Sequence, residues 1–376
     1  MADDQRIRRV RAYGVTPQNT PLSRFHGRMD PVRMNVEIVR VTLESGAEGV
    51  ASNFTGYKGR SAGSIVREVE GLADRFTGSD AGRRAALTGQ LLSEAGPGPR
   101  LAISLLDCAM WGAYAEGVGQ PLYRLLGGYR ERIPAQASVD AFDTIEEYLD
   151  IIRRSVALGY RSVKLHMKTD PDFDVELIRV VSEIYGDGKI RFMTDHEQQH
   201  TFDEALRIGE AMSTEPFDWF EAPLPDTDLD AYVELNHAVG VDIIPAGNLV
   251  VGLESWRGAL ERKAWSRLRF DALNGGGVTT AVKAMGLARA MEVPVEIQSY
   301  AFGPGQLVDL HIMLGMIGCT WFEHPVPSEH YDYPLRNPIA LDAHGCVGAS
   351  DRPGLGADMD WDDIEANAFA TFDSAA

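Results

Sequence analysis

Eight short apolar runs recur at near-even spacing through the C-terminal two thirds of the chain, and this periodicity constrains the fold more than any other feature. They are IPAQASV (133–139), SVKLHM (162–167), IRFMTD (190–195), DWFEAP (218–223), DIIPAGN (242–248), RLRFDAL (267–273), PVEIQSY (294–300) and CTWFEHP (319–325). Between them lie stretches such as TIEEYLDIIRRSVALG, DFDVELIRVVSEIYG and TTAVKAMGLARAMEV, with apolar residues at helical spacing. Eight strands alternating with helices at one period predict an α/β chain closed into a (β/α)8-type TIM barrel. An open doubly wound sheet is the rival, but eight even units fit closure better.

Residues 1–130 read differently. MNVEIVRVTLESGAEGVASNF alternates like a hairpin, with glycine at the turn. RRAALTGQLLSEAG and PRLAISLLDCAMWGAYAEGVGQPLYRLLGG read as helices, the second stopping at a Gly-Gly pair. An α+β domain over 1–130, a barrel over 131–345 and a polar, turn-rich segment over 346–376 that returns to the first domain are expected.

A formal charge of −19 argues against nucleic acid and acidic membrane surfaces as partners. It also means that an anionic substrate needs a local positive centre. Three scattered cysteines, Cys108, Cys319 and Cys346, have neither disulfide nor metal-ligand spacing and point to a reducing compartment. No run reaches the length of a membrane span, and a soluble, cytoplasmic protein is expected.

Barrel enzymes carry their reactive groups at the C-terminal ends of the strands. In order, those ends present Lys164 and His166, Asp195, Glu221, Asn248, Asp271, Gln298 and Tyr300, and Glu323. Lys164 and His166, two apart on a strand, share a face. Asp195, Glu221 and Asn248 stand on three successive strand ends, so their oxygens can converge; two carboxylates and an amide carbonyl suit Mg²⁺. Taken singly, each has a plain structural reading: a helix cap for Asp195, an ion pair for Glu221, a turn for Asn248. His196 and His200 read as ordinary loop residues. NGGGVT (274–279) resembles a phosphate cradle, though a lone glycine run is weak evidence.

These residues together resemble the enolase superfamily, and within it the mandelate racemase-like subgroup, over almost the whole chain. SVKLH stands at the place of that family's paired bases, and TD (194–195), WFEAP (219–223) and PAGN (245–248) at its three metal-ligand strand ends. FDALNGGGVT stands at the strand bearing its dyad aspartate, and WFEHP at its last strand. The resemblance implies a modified (β/α)7β barrel with an α+β capping domain, one Mg²⁺, and abstraction of the proton α to a carboxylate to give an enediolate held on the ion. It implies His166 or Lys164 as base, with His166 the first choice, and Glu323 facing the substrate. It also suggests a homo-oligomer.

Three positions depart from the family pattern. His166 replaces the commoner Lys, Asn248 the commoner acidic ligand, and Gln298 the dyad histidine that partners Asp271. Glutamine cannot titrate, so a second base is missing, although Tyr300 could supply a proton. This favours chemistry from one face, such as syn elimination of water from a sugar acid. Epimerisation, racemisation, cycloisomerisation and a degenerate acid-binding barrel remain alternatives. By the same resemblance, specificity comes from NTPLSRFHGRMD (19–30) and NFTGYKGR (53–60), with Arg24, His26, Asn53, Tyr57 and Lys58 as candidate contacts to the small-molecule carboxylate.

Overall fold

A computed structural model describes residues 5–18, 30–56, 60–94, 96, 99–213 and 216–375. The N-terminal sheet begins with β1 (Ile7–Val15), β2 (Asn35–Leu43) and β3 (Glu48–Thr55), all antiparallel. Gly46, at φ 87°, turns the β2–β3 hairpin in a left-handed conformation that glycine adopts without a Cβ penalty.

The barrel strands are β4 (Ile133–Val139), β5 (Ser162–His166), β6 (Arg191–Asp195), β7 (Phe217–Glu221), β8 (Asp242–Ile244), β9 (Leu268–Phe270), β10 (Val295–Ile297) and β11 (Phe322–Val326). They follow the eight apolar runs. Six pair in parallel in the order β11-β4-β5-β6-β7-β8, and β9 pairs with β10. The ring is completed where Ser266 N donates to Ile243 O at 2.9 Å and where Val295 bridges to Cys319 just before β11. Helices fill the seven crossovers. After β11 the described chain has only the 3-10 turn Ser328–His330 before β12 (Cys346–Val347), so the barrel is of the (β/α)7β kind. Three of the crossover helices start at side-chain caps of this kind: Thr144 with Glu147 and Thr201 with Glu204 form capping boxes, and Asp170 caps Pro171–Tyr185.

The chain then runs back to the first sheet, where β13 (Ala368–Asp373) adds antiparallel to β1. The predicted second N-terminal helix is divided: Arg100–Gly117 ends, and Leu122–Leu125 resumes after Pro121. Pro121 has no N–H for a continuing helix. Arg100–Gly117 lies so close to β3 that a Cβ on Gly49 would sit 1.9 Å from Ala109 O. Its other face grips the barrel. Ser104 Oγ accepts from Gly276 N at 2.9 Å, and Asp107 accepts from Thr279 N at 2.9 Å and Thr279 Oγ1 at 2.6 Å. This overturns the phosphate-cradle reading of NGGGVT. A Cβ on Gly277 would meet Asp107 Oδ2 at 2.4 Å, so the carboxylate of Asp107 already takes the anion's place.

Glu37 ties down the capping segment next to the barrel mouth. Fully buried on β2, it accepts from Thr55 Oγ1, Gly63 N and Val66 N at 2.7, 2.8 and 2.9 Å. Two of these donors are backbone N–H groups at the start of helix Ser64–Phe76, where a carboxylate is favoured.

Candidate active site

The C-terminal ends of the barrel strands enclose a cavity of about 150 Å³, roofed by Asn53 and Phe54 of β3. Lys164, His166, Asp195, Asn248, Asp271, Gln298, Tyr300 and Glu323 all line it. The strand-end reading thus brings its residues together.

Lys164 is the hub. Its Nζ lies 2.9 Å from Asp195 Oδ2, 2.9 Å from Glu221 Oε1 and 2.8 Å from Glu323 Oε1, and the residue is 1% exposed. Burial and Arg269 work against its charge, but the three carboxylates outweigh them and hold it protonated well above the ordinary lysine range. His166 points the same way, as the shared strand face requires. Its Nδ1 contacts Val139 O at 2.7 Å; a carbonyl can only accept, so Nδ1 carries the proton. Nε2 lies 3.5 Å from Asp195 Oδ2.

Burial alone would raise all the carboxyls, and charge sorts them. Lys164 and His166 overcome burial at Asp195 and hold it far below the usual range. At Glu221, burial and neighbouring Asp195 prevail over Arg269 and Lys164, and it is pushed well up. Lys164 and Arg269 overcome burial at Glu323 and hold it at about 2. Asp195 and Glu221 stand side by side in the β6–β7 register, so they titrate as a pair.

The donor set fits Mg²⁺. Glu221 Oε2 and Asn248 Oδ1 are buried and accept no hydrogen bond among the described residues. A buried acceptor without a donor is costly unless a cation or polar ligand meets it. With Asp195 these are hard oxygen donors, the kind Mg²⁺ selects. Asn248 lies four residues beyond β8, after Gly247 at φ 84°. A Cβ on Gly247 would touch Arg269 at 2.9 Å, so the turn that presents Asn248 needs glycine on both counts.

Asp271 has a structural task as well. It caps the short helix Ala272–Gly275 by accepting from Asn274 N at 3.2 Å, and it also binds the Asn274 amide. Burial raises it to about 6, against those hydrogen bonds and Arg60. Gln298 Oε1 is buried without a donor among the described residues. Tyr300 stands edge-on to His166, ring centroids 5.9 Å apart, and its hydroxyl meets that of Tyr331. Asn53 accepts from Phe54 N at 2.7 Å. Arg24, His26, Tyr57 and Lys58 lie outside the described residues. His196 and His200 are in a loop, as expected, but both are buried rather than solvated.

Sequence reasoning missed Arg269. It is fully buried, donates to Glu323 Oε2 at 2.9 Å, and through the same nitrogen lies 2.9 Å from Glu221 Oε1 as an ion pair. Its signal was available, because it sits two residues before Asp271 on the same strand face. Arg60, on the capping side, also lines the cavity.

Asp309 was missed too. It lies fully buried in helix Pro304–Gly315, and neither oxygen has a hydrogen-bond partner among the described residues. Burial, with Asp271 and Glu323 nearby, pushes it well above the usual range, so its neutral form is the stable one. An acid whose folded pKa is raised contributes stability that is full below its unfolded value, and this is lost progressively as pH rises toward the folded value. Asp309→Asn removes that loss. Urea titrations should show the variant gaining on wild type steadily as pH rises from 5 to 8. A gap independent of pH would contradict this reading of Asp309.

Residues 14–127 match the mandelate racemase/muconate lactonizing enzyme N-terminal domain, and residues 147–364 match the enolase C-terminal domain-like family. The chain is 28% identical over 370 residues to 3,6-anhydro-alpha-L-galactonate cycloisomerase of Streptomyces coelicolor, covering 95% of this chain and 98% of that one. It is 25% identical over 359 residues to L-talarate/galactarate dehydratase of Salmonella typhimurium, covering 90% and 85%. A variant of that dehydratase, solved with Mg and L-glucarate, superposes with a TM-score of 0.86 over 98% of this chain and 93% of that one. A Pseudovibrio sp. protein, described by the mandelate racemase/muconate lactonizing enzyme family alone, superposes with a TM-score of 0.94 at 31% identity over 98% and 99%.

Proposed function

The chain belongs to the mandelate racemase/muconate lactonizing enzyme family, and on that premise we propose that it is a Mg²⁺-dependent sugar-acid dehydratase. The observation that carries the one-faced chemistry is the placement of His166: with Nδ1 on Val139 O, its Nε2 lies at the cavity beside Asp195, while the position of a second base holds Gln298.

Asp195, Glu221 and Asn248 would hold the ion. When bound, Mg²⁺ stabilises the second negative charge that develops on the substrate carboxylate as the α proton leaves. It also gives this acidic chain the local positive centre an anionic substrate needs. Lys164 and Arg269 hold Glu323 ionised and fix its orientation. His166 Nε2 accepts the α proton; Nδ1–H stays on Val139 O and keeps the ring from turning. Tyr300, whose ring lies edge-on to that of His166, would protonate the departing β-oxygen. Asn53, Arg60 and Asn274 give the cavity polar groups suited to a polyol or a distal carboxylate.

A second reading rests on the same elimination. If the β-oxygen belongs to a ring of the substrate, its departure opens the ring and no water is lost, giving cycloisomerisation. The near full-length likeness to the S. coelicolor cycloisomerase favours it. A panel of acid sugars and anhydro acids incubated with Mg²⁺ separates the two. The dehydratase reading predicts a 2-keto-3-deoxy acid with loss of water. An isomer of unchanged mass would replace it with cycloisomerisation or epimerisation, and no conversion of any acid would overturn both.

A further inference from the structure

The two histidines behind Asp195 make a second cluster. His196 Nδ1 lies 2.7 Å from His200 Nε2, and Asp174 Oδ2 lies 3.5 Å from the first and 3.7 Å from the second. The three ligating atoms come from the loop after β6 and from helix Pro171–Tyr185, and all three residues are buried. Two imidazole nitrogens cannot point their lone pairs at each other across 2.7 Å. Something positive must lie between them, either a proton or a metal ion. An ion at the centre of the triangle serves all three atoms, and that centre is about 2 Å from each, the length of a Zn–N or Zn–O bond.

The surroundings fit a metal-ligating imidazole. His200 Nδ1, on the far side of the ring, faces Glu204 Oε2 at 3.7 Å, and a carboxylate behind a ligating histidine fixes its tautomer and raises its basicity. Glu204 is itself held by Thr201 N at 2.9 Å. Phe220 packs edge-on to His196, ring centroids 4.7 Å apart, and keeps that side apolar.

We infer that Asp174, His196 and His200 form a second metal site, of the zinc class, distinct from the oxygen site of Asp195, Glu221 and Asn248. Two imidazoles and one carboxylate suit Zn²⁺, whereas Mg²⁺ favours oxygen alone. Its three protein ligands leave the fourth position of a tetrahedral ion open. The site clamps helix Pro171–Tyr185 to a turn in which Glu197 and Gln198 both take positive φ, 48° and 65°, and that turn leaves directly from Asp195. The inference does not depend on the reaction proposed above.

The test is zinc binding to the metal-stripped full chain in excess Mg²⁺, read by elemental analysis after dialysis and by the rise in Tm with added Zn²⁺. Wild type and Glu221→Gln should each retain one zinc per chain. Asp174→Asn and His200→Asn should bind zinc at least a hundredfold more weakly, beyond the ~10–100-fold that loss of an orienting partner costs. Both should still bind Mg²⁺ like wild type, which shows that they are folded. The site is overturned if stripped wild type retains no zinc, if the zinc is lost in Glu221→Gln, or if both Asp174→Asn and His200→Asn bind zinc like wild type. Should either variant fail to fold, the comparison of wild type with Glu221→Gln decides alone.

Discussion

Exchanging His166 for Asn is expected to slow exchange of the substrate's α proton into D2O by about 10²–10⁴-fold, with Mg²⁺ and substrate still bound. Asparagine can keep the hydrogen bond to Val139 O, and it fills much of the ring's space. It offers no group that takes a proton near neutral pH. Imidazole does, with an ordinary pKa of about 6.5. Lys164 is the competing base. Its ammonium is bound by three carboxylates at 2.8–2.9 Å, which favours a fixed charge over a proton acceptor. Proton exchange followed by NMR for His166→Asn and Lys164→Met assigns the roles. If His166→Asn exchanges near the wild-type rate and Lys164→Met does not, lysine is the base. If both exchange normally, the base lies elsewhere.

Removal of Arg269 should have the largest effect on stability. Arg269→Met keeps most of the side-chain volume but leaves Glu221 and Glu323 buried with one of the two cations that touch both removed, Lys164 being the other. Breaking a buried pair by deleting one partner costs about 3–5 kcal/mol where the remaining charge is uncompensated, and Lys164, still in contact with both carboxylates, offsets part of that here. Loss of Arg269 pushes Glu221, already raised by burial and by Asp195, further toward its neutral form, so the cost falls mainly on the ionised Glu323. Arg269→Lys should recover only part of the stability, since a lysine head is a compact, more strongly hydrated point charge that costs more to bury. Urea titration at neutral pH provides the check. A loss below about 1 kcal/mol for Arg269→Met would mean that the two carboxylates do not depend on it.

The barrel was legible because its strands are buried on both faces and therefore read as short, continuous apolar runs. Its chemistry was legible because Lys164, His166, Asp195, Glu221 and Glu323 end those runs or alternate within them. Arg269 escaped notice although the same alternation exposes it two residues before Asp271; a lone arginine in RLRFDAL reads as an edge charge until Glu323, 54 residues away, is placed beside it. Asp309 sits in a helix buried along its whole length, and a charge in such a helix was itself a signal. The meeting of Asp174 with His196 and His200 depends on how one crossover helix packs behind β6, which no local pattern encodes. NGGGVT misled because a glycine run at a helix start suits a carboxylate of the protein as well as a phosphate, and only the packing of helix Arg100–Gly117 decides between them.

The central claim is that Asp195, Glu221 and Asn248 bind Mg²⁺ and that the chemistry depends on this binding. Calorimetric titration of Mg²⁺ into wild type and Glu221→Gln tests it most directly, with circular dichroism to verify that the variant is folded. The amide removes a charge and leaves the shape, and Glu221 Oε2 is one of the buried oxygens that accept no hydrogen bond among the described residues. The account predicts one Mg²⁺ per chain in wild type and no measurable binding in folded Glu221→Gln. Equal binding by the two proteins would contradict it.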